Sequence, residues 1–102
     1  MVACLADDVV FVSPIAFSPY VGKPIVGTIL RTVFTIFEDF HYEYEIGEPD
    51  AERHALVFAA KVGDKQLQGC DFLHIDADGK IDHFTVMLRP LSATLAFAEK
   101  MK

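Results

Sequence analysis

The sequence predicts a single α+β domain in which a strongly curved antiparallel or mixed sheet wraps around a helix and leaves a hollow between them. Three observations carry that reading. Pro24–Phe37 repeats its apolar residues at helical spacing. After Phe40 four strand-like segments succeed one another, separated by turn signals rather than by helices. Finally, strand parity places one acid, Asp71, on the same face as Leu67, Leu73 and Ile75. A carboxylate in apolar surroundings must find a partner, stay neutral or face a cavity.

The bulk properties fit one globular unit. With 102 residues, 52% of them apolar, and nine phenylalanines but no tryptophan, the chain can bury one core. A net charge of −6 without a basic patch argues against nucleic acid or an anionic membrane as partner. Cys4 and Cys70 form no C-x-x-C and no Cys/His cluster, so two reduced thiols in a cytoplasmic protein are expected, with no metal and no cofactor. Met1-Val2-Ala3-Cys4-Leu5 lacks the basic and apolar regions of a signal peptide. The apolar runs fall short of the ~20 residues a membrane span needs.

In chain order, Leu5-Ala6-Asp7-Asp8 reads as a helix tail or turn entering a first strand, Val9–Ser13, which Pro14 stops. Ile15–Gly22 reads as a loop, with Ile15, Phe17 and Tyr20 lying down on the body. In the helix Pro24 suits the first turn, and Ile25, Val26, Ile29, Leu30, Val33, Phe34 and Phe37 form one wide stripe. That periodicity overrides the strand preference of its Val, Ile and Thr residues.

Phe40-His41-Tyr42-Glu43-Tyr44-Glu45-Ile46 alternates, aromatics on one face and His41, Glu43 and Glu45 on the other, as in a half-exposed strand. Gly47-Glu48-Pro49-Asp50 turns the chain into His54–Val62, apolar on both faces and therefore central. Gly63-Asp64 turns it again into Gln66–Asp76, and Ala77-Asp78-Gly79 into the strand Lys80–Pro90. Leu91–Met101 reads as a short helix with Ser92 as cap and Leu95 and Ala96 inward.

Few motifs carry chemistry. Asp76-Ala77-Asp78-Gly79 resembles the head of a calcium loop but lacks the later ligands, so it reads as a β-turn. His41, His54, His74 and His83 show no metal-ligand spacing, and no Ser-His-Asp triad can be assembled. On parity alone Asp71 is either a structural acid bound to backbone amides or a pocket acid that meets a ligand oxygen.

Several segments resemble the SnoaL-like members of the nuclear-transport-factor-2-like superfamily. These are Asp7-Asp8-Val9-Val10-Phe11-Val12-Ser13-Pro14, then Tyr20-Val21-Gly22-Lys23-Pro24-Ile25-Val26, Gly69 through Ile81, and Thr85-Val86-Met87-Leu88-Arg89-Pro90. The resemblance implies a cone-shaped sheet enclosing an apolar pocket, and dimerisation through the sheet's outer face. Within that superfamily Asp71 matches the aspartic acid that ketosteroid isomerases keep protonated in their oxyanion hole, an enzyme that serves as a standard case of such chemistry. The isomerase's general-base aspartate is replaced here by Ser13 before Pro14, and a serine accepts no proton near neutral pH without a partner base. The isomerase's pocket tyrosine comes from an N-terminal helix, most of which this chain is expected to lack. Steroid isomerisation is therefore not expected.

The expectation is a pocket of roughly 300–1,000 Å³, with Asp71 as polar anchor. Phe34, Leu73, Phe84, Val86 and Leu88 would line its walls, and Ser13 and Tyr20 would sit near its mouth. The ligand would be a hydrophobic molecule carrying a carbonyl or hydroxyl. Three functions stay open: a non-catalytic binder, an enzyme moving a proton beside a carbonyl with Asp71 as acid (isomerase, cyclase or dehydratase), and a homodimerisation module whose pocket is filled by its own side chains.

Overall fold

Residues 4–101, which the computed structural model describes, form a curled, open six-stranded sheet and two helices. The elements are β1 (Leu5–Val12), β2 (Tyr20–Val21), α1 (Lys23–Ile36), β3 (Glu38–Ile46), β4 (Arg53–Val62), β5 (Lys65–Ile75), β6 (Ile81–Arg89) and α2 (Leu91–Met101). Residues 1–3, part of the stretch expected to carry no signal peptide, lie outside the described residues. The strand order is β2-β1-β6-β5-β4-β3. Neighbours are antiparallel except β1 and β6, which run parallel.

Helix α1 forms despite its β-branched residues because one face of it, Val26 and Leu30, is buried against the sheet, while its threonines turn their hydroxyls back onto the helix's own carbonyls. Thr28 donates to Pro24 at 3.0 Å, Thr32 to Thr28 at 3.0 Å and Thr35 to Thr32 at 2.6 Å. Gly22 opens the helix at φ 109°, and it ends where Phe37 turns extended while donating its N–H to the Val33 carbonyl. Its inward stripe centres on Val26 and Leu30, with Gly27 also buried, whereas Ile25 and Phe34 at the stripe's edges stay partly in water.

The inner face of the sheet builds two apolar clusters. One joins Leu5, Val9, Phe11, Val26, Leu30, Ile81 and Phe84. The other joins Phe58, Ala60, Val62 and Leu67 to Ala93 and Phe97 of α2. Each large side chain fully withdrawn from water contributes about 1.5–3 kcal/mol. Val86 packs against both clusters, and its Cα partner on β5 is Asp71. The acid therefore sits at the seam between two cores.

The structure corrects several expectations. Leu5-Ala6-Asp7-Asp8 belongs to β1: Leu5 and Ala6 are buried, and the exposed Asp7-Asp8 pair lies where the register to β6 shifts. Tyr20–Val21 is a short strand on β1, not loop. Phe17 is fully exposed and Ile15 is 41% exposed, so only Tyr20 of those three packs down, stacked on Phe11. Ser92 lies inside α2, and it is the Pro90 carbonyl that receives the Thr94 N–H. Ala93 and Phe97, spaced i and i+4, form the buried face of α2, which leaves Leu95 outside.

The alternation read for β3 also breaks. Its pairing with β4 slips between Glu38 and His41 and again between Tyr42 and Tyr44. Each slip is a bulge that inserts one extra residue and reverses the facing of the residues after it. Phe40 and Tyr42 therefore stay with the inner-face Phe58, whereas Tyr44 and Ile46 pair with Val57 and Ala55 on the outer face.

Candidate functional site

Asp71 is the one charged side chain buried among the described residues, at 6% exposure. Strand β5 delivers it inward by parity, two residues beyond Gly69 and two before Leu73, flanked by Leu56 of β4 and Val86 of β6. Among the described residues none gives its carboxyl a hydrogen bond or an ion pair. The little surface it keeps opens on a hollow. Burial alone pushes its pKa from 3.8 up to about 7. Its charge reaches outward as well: burial first and Asp71 second push up the Tyr42 phenol and the Cys70 thiol.

The hollow is walled by phenylalanine rings from six elements. Phe11 comes from β1, Phe34 from α1, Phe40 from β3, Phe58 from β4, Phe84 from β6 and Phe97 from α2, with Phe37 between α1 and β3. These rings meet edge to face or offset, Phe37 standing 5.2 Å from Phe97 and Phe40 standing 4.9 Å from Phe58. Ser13 and Asp71 supply its polar side chains among the described residues. The free volume is about 40 Å³, against the expected 300–1,000 Å³. The rings converge on the space and take up most of it. That leaves room for roughly two or three water-sized guests.

Of the residues expected in the pocket, Ser13, Phe34, Asp71, Phe84 and Val86 line the hollow together. Tyr20, Leu73 and Leu88 do not. Tyr20 backs the wall from behind Phe11. Leu73 sits one strand step beyond Asp71 and packs into the first core. Leu88 is drawn onto Gly69, its Cα partner, and packs into the second core. Lining residues not anticipated include Phe11, Phe40, Phe58, Phe97 and Met101. The segment around Phe58 is apolar on both faces, so alternation did not single that ring out, and nothing local in the sequence says that α2 folds back to bring Phe97 and Met101 over the same space.

The histidines lie apart from this hollow. On the sheet's outer face His74 pairs across to His83, holds Asp82 at 2.6 Å through Nδ1 and approaches Glu52 at 3.6 Å through Nε2. Asp76 closes the β5–β6 hairpin by accepting the N–H groups of Asp78 and Lys80, each at 2.9 Å, which is turn chemistry. Among the described residues no group of three His, Cys, Asp or Glu side chains converges as a metal site would need. No helix among them is long and apolar enough to cross a membrane.

Solved structures resemble this arrangement closely. A steroid delta-isomerase from Pseudomonas aeruginosa superposes with a TM-score of 0.93 at 44% identity, over 98% of this chain and 73% of its own. The chain belongs to the nuclear-transport-factor-2-like superfamily. An uncharacterized bacterial protein with a cystatin-like fold, from Silicibacter pomeroyi, superposes with a TM-score of 0.94 at 32% identity, over 98% of this chain and 70% of its own. A nuclear-transport-factor-2-like protein from Burkholderia xenovorans shares the fold, with a TM-score of 0.71 at 14% identity, over 92% of this chain and 75% of its own. No family model and no curated protein matches the sequence. Within the superfamily's α+β architecture, Asp71 is the buried polar side chain of the inner face among the described residues.

Proposed function

We propose that this superfamily member binds a small hydrophobic molecule through an oxygen atom held by Asp71, in the cytoplasm and without a cofactor. One observation supports this above the rest: a carboxyl at 6% exposure has no protein partner among the described residues and opens on a hollow lined by phenylalanine rings. An apolar side chain at that position would remove a desolvation cost of several kcal/mol. The similarity to a steroid delta-isomerase supports an alicyclic ketone or alcohol as the ligand class. Because the free volume is only about 40 Å³, a guest of that class enters by displacing Phe34, the half-exposed ring at the rim.

The chemistry is set by protonation. With a pKa of about 7, neutral Asp71 donates a hydrogen bond to a carbonyl oxygen, and ionised Asp71 accepts one from a hydroxyl. Titrations with 2-decalone and 2-decalol at pH 6 and pH 8 test this. Ketone affinity should fall roughly tenfold between the two pH values, while alcohol affinity should not. Asp71→Leu should abolish the pH dependence. Equal binding of decalin and decalone at both pH values would remove Asp71 as the anchor.

The 44% identity to an isomerase favours a second reading, proton transfer beside a carbonyl. Against it, Asp71 cannot at once donate to the oxygen and take up the carbon-bound proton, and Ser13 is no base at neutral pH. Turnover of an unsaturated cyclic ketone above the rate of Asp71→Asn would establish it.

A second copy of the chain is proposed as partner. Tyr44, Ile46, Phe72 and Met87 stand exposed on the sheet's outer face, around the half-buried Val57 and Cys70. An apolar patch of this kind fits a self-complementary interface.

A further inference from the structure

Phe17 is 100% exposed, although the segment that carries it starts at the wall of an apolar hollow. Ser13 and Pro14 line that hollow, and the Ser13 hydroxyl accepts the Ile15 N–H at 3.1 Å, which turns the chain outward. The far end is fixed as well. Tyr20 and Val21 pair with Phe11 and Val10, and the Gly22 N–H reaches the Val9 carbonyl at 2.8 Å. Between these anchors residues 15–19 belong to no helix or strand, and the neighbours of Phe17 are the small Ala16 and Ser18. Three residues of extended chain span about 10 Å, so Phe17 can reach from Pro14 across to the rim. There Phe34, also lining the hollow, is 43% exposed.

We infer that residues 14–19 form a lid, and that Phe17 swings over the mouth of the hollow, between Pro14 and Phe34, when a ligand occupies it. The inference rests on the small-molecule reading above. A hollow with only about 40 Å³ of free volume offers Phe17 little apolar surface beyond the edge of Phe34. A guest that pushes Phe34 aside presents its own apolar flank at the mouth, and Phe17, fully exposed three residues beyond Pro14, is an apolar side chain without a resting place. Closure would withdraw Phe17, Phe34 and the guest's flank from water together. It would also strip water from Asp71's hydrogen bond to the ligand, which strengthens that bond. The two prolines keep the hinges narrow, because their fixed φ leaves the rotation to residues 15–18.

The chain has no tryptophan, so Phe17→Trp supplies a single tryptophan at the tip of the segment, which can be excited apart from the three tyrosines. That variant is titrated with 2-decalone while the Asp71 carboxyl ¹³C resonance and the tryptophan emission are followed together. The expected result is a blue shift of the emission that saturates with the carboxyl change. In addition, Phe17→Ser should raise the decalone off-rate on the order of tenfold. A carboxyl response with emission still typical of water, and an unchanged off-rate in Phe17→Ser, overturns the lid and leaves the binding reading standing. Silence of both signals overturns both.

Discussion

The ring of Phe58 lies over the backbone of Gly69, its Cα partner on the next strand. A Cβ built on the glycine would come within 2.4 Å of the ring's Cζ and 2.7 Å of Leu88 Cδ2. The missing side chain lets the ring lie flat and become the apolar floor beside Asp71. Strand β5 accepts a glycine's conformational cost at that position. Gly69→Ala should destabilise the chain by about 1–3 kcal/mol through overpacking, read as a lower urea midpoint at unchanged m-value. Pairing it with Phe58→Leu should recover part of that loss. Two costs that simply add would show that the contact does not matter.

Asp71 imposes a pH dependence of unusual sign. The folded chain holds its proton up to about pH 7, whereas the unfolded chain releases it near 3.8. Across that window the native state binds more protons, so stability falls as pH rises and levels off above it. The full span is on the order of 4 kcal/mol. Asp71→Asn should flatten this slope and stabilise the fold at pH 8 by about 2 kcal/mol, less than the whole span because the amide is itself left desolvated. Thermal unfolding of parent and variant from pH 4 to pH 8 checks it. Parallel curves would contradict it.

Two phenylalanines at the hollow should respond differently to truncation. Phe97 is 3% exposed and stacked on Phe37, so Phe97→Ala should cost about 3–5 kcal/mol. Phe34 is 43% exposed, and Phe34→Ala should cost only about 1 kcal/mol while opening the rim. Chemical denaturation separates the costs. Binding of a hydrophobic dye to folded protein should rise for Phe34→Ala.

Phe72→Glu and Met87→Glu place like charges in the outer patch, on side chains 42% and 59% exposed. A parent sedimenting as a dimer should give monomeric variants with unchanged circular dichroism, since neither side chain serves the inner core. A parent that sediments as a monomer at every concentration would dismiss the outer face as a self-association surface.

Much of the inner face was legible because strand parity is a local property. Leu67, Asp71, Phe84 and Val86 point where alternation put them, and the hairpin turn at Asp76 reads directly from its residues. The features that stayed hidden depend on partners far along the chain. The bulges of β3 are invisible in a segment that alternates perfectly, because they are defined only against β4. The narrowness of the hollow was hidden too, since it arises from how rings from separate elements converge. Phe17 misled for a related reason: an apolar loop residue suggests a contact, and the sequence cannot say that the contact surface is missing.

The two bulges of β3 have a further consequence. This strand is the outer margin of the sheet, and among the described residues its backbone groups on that side have no neighbour in the sheet. A newcomer strand needs an unbroken, regular row to zip onto, and here the row is interrupted twice within Glu38–Ile46, with Asp39 forced to φ 53°. Glu38, Glu43 and Glu45 add repulsion for any copy approaching sideways. Fibril-like growth from this margin is thereby discouraged, so β3 can remain uncovered without templating the next molecule.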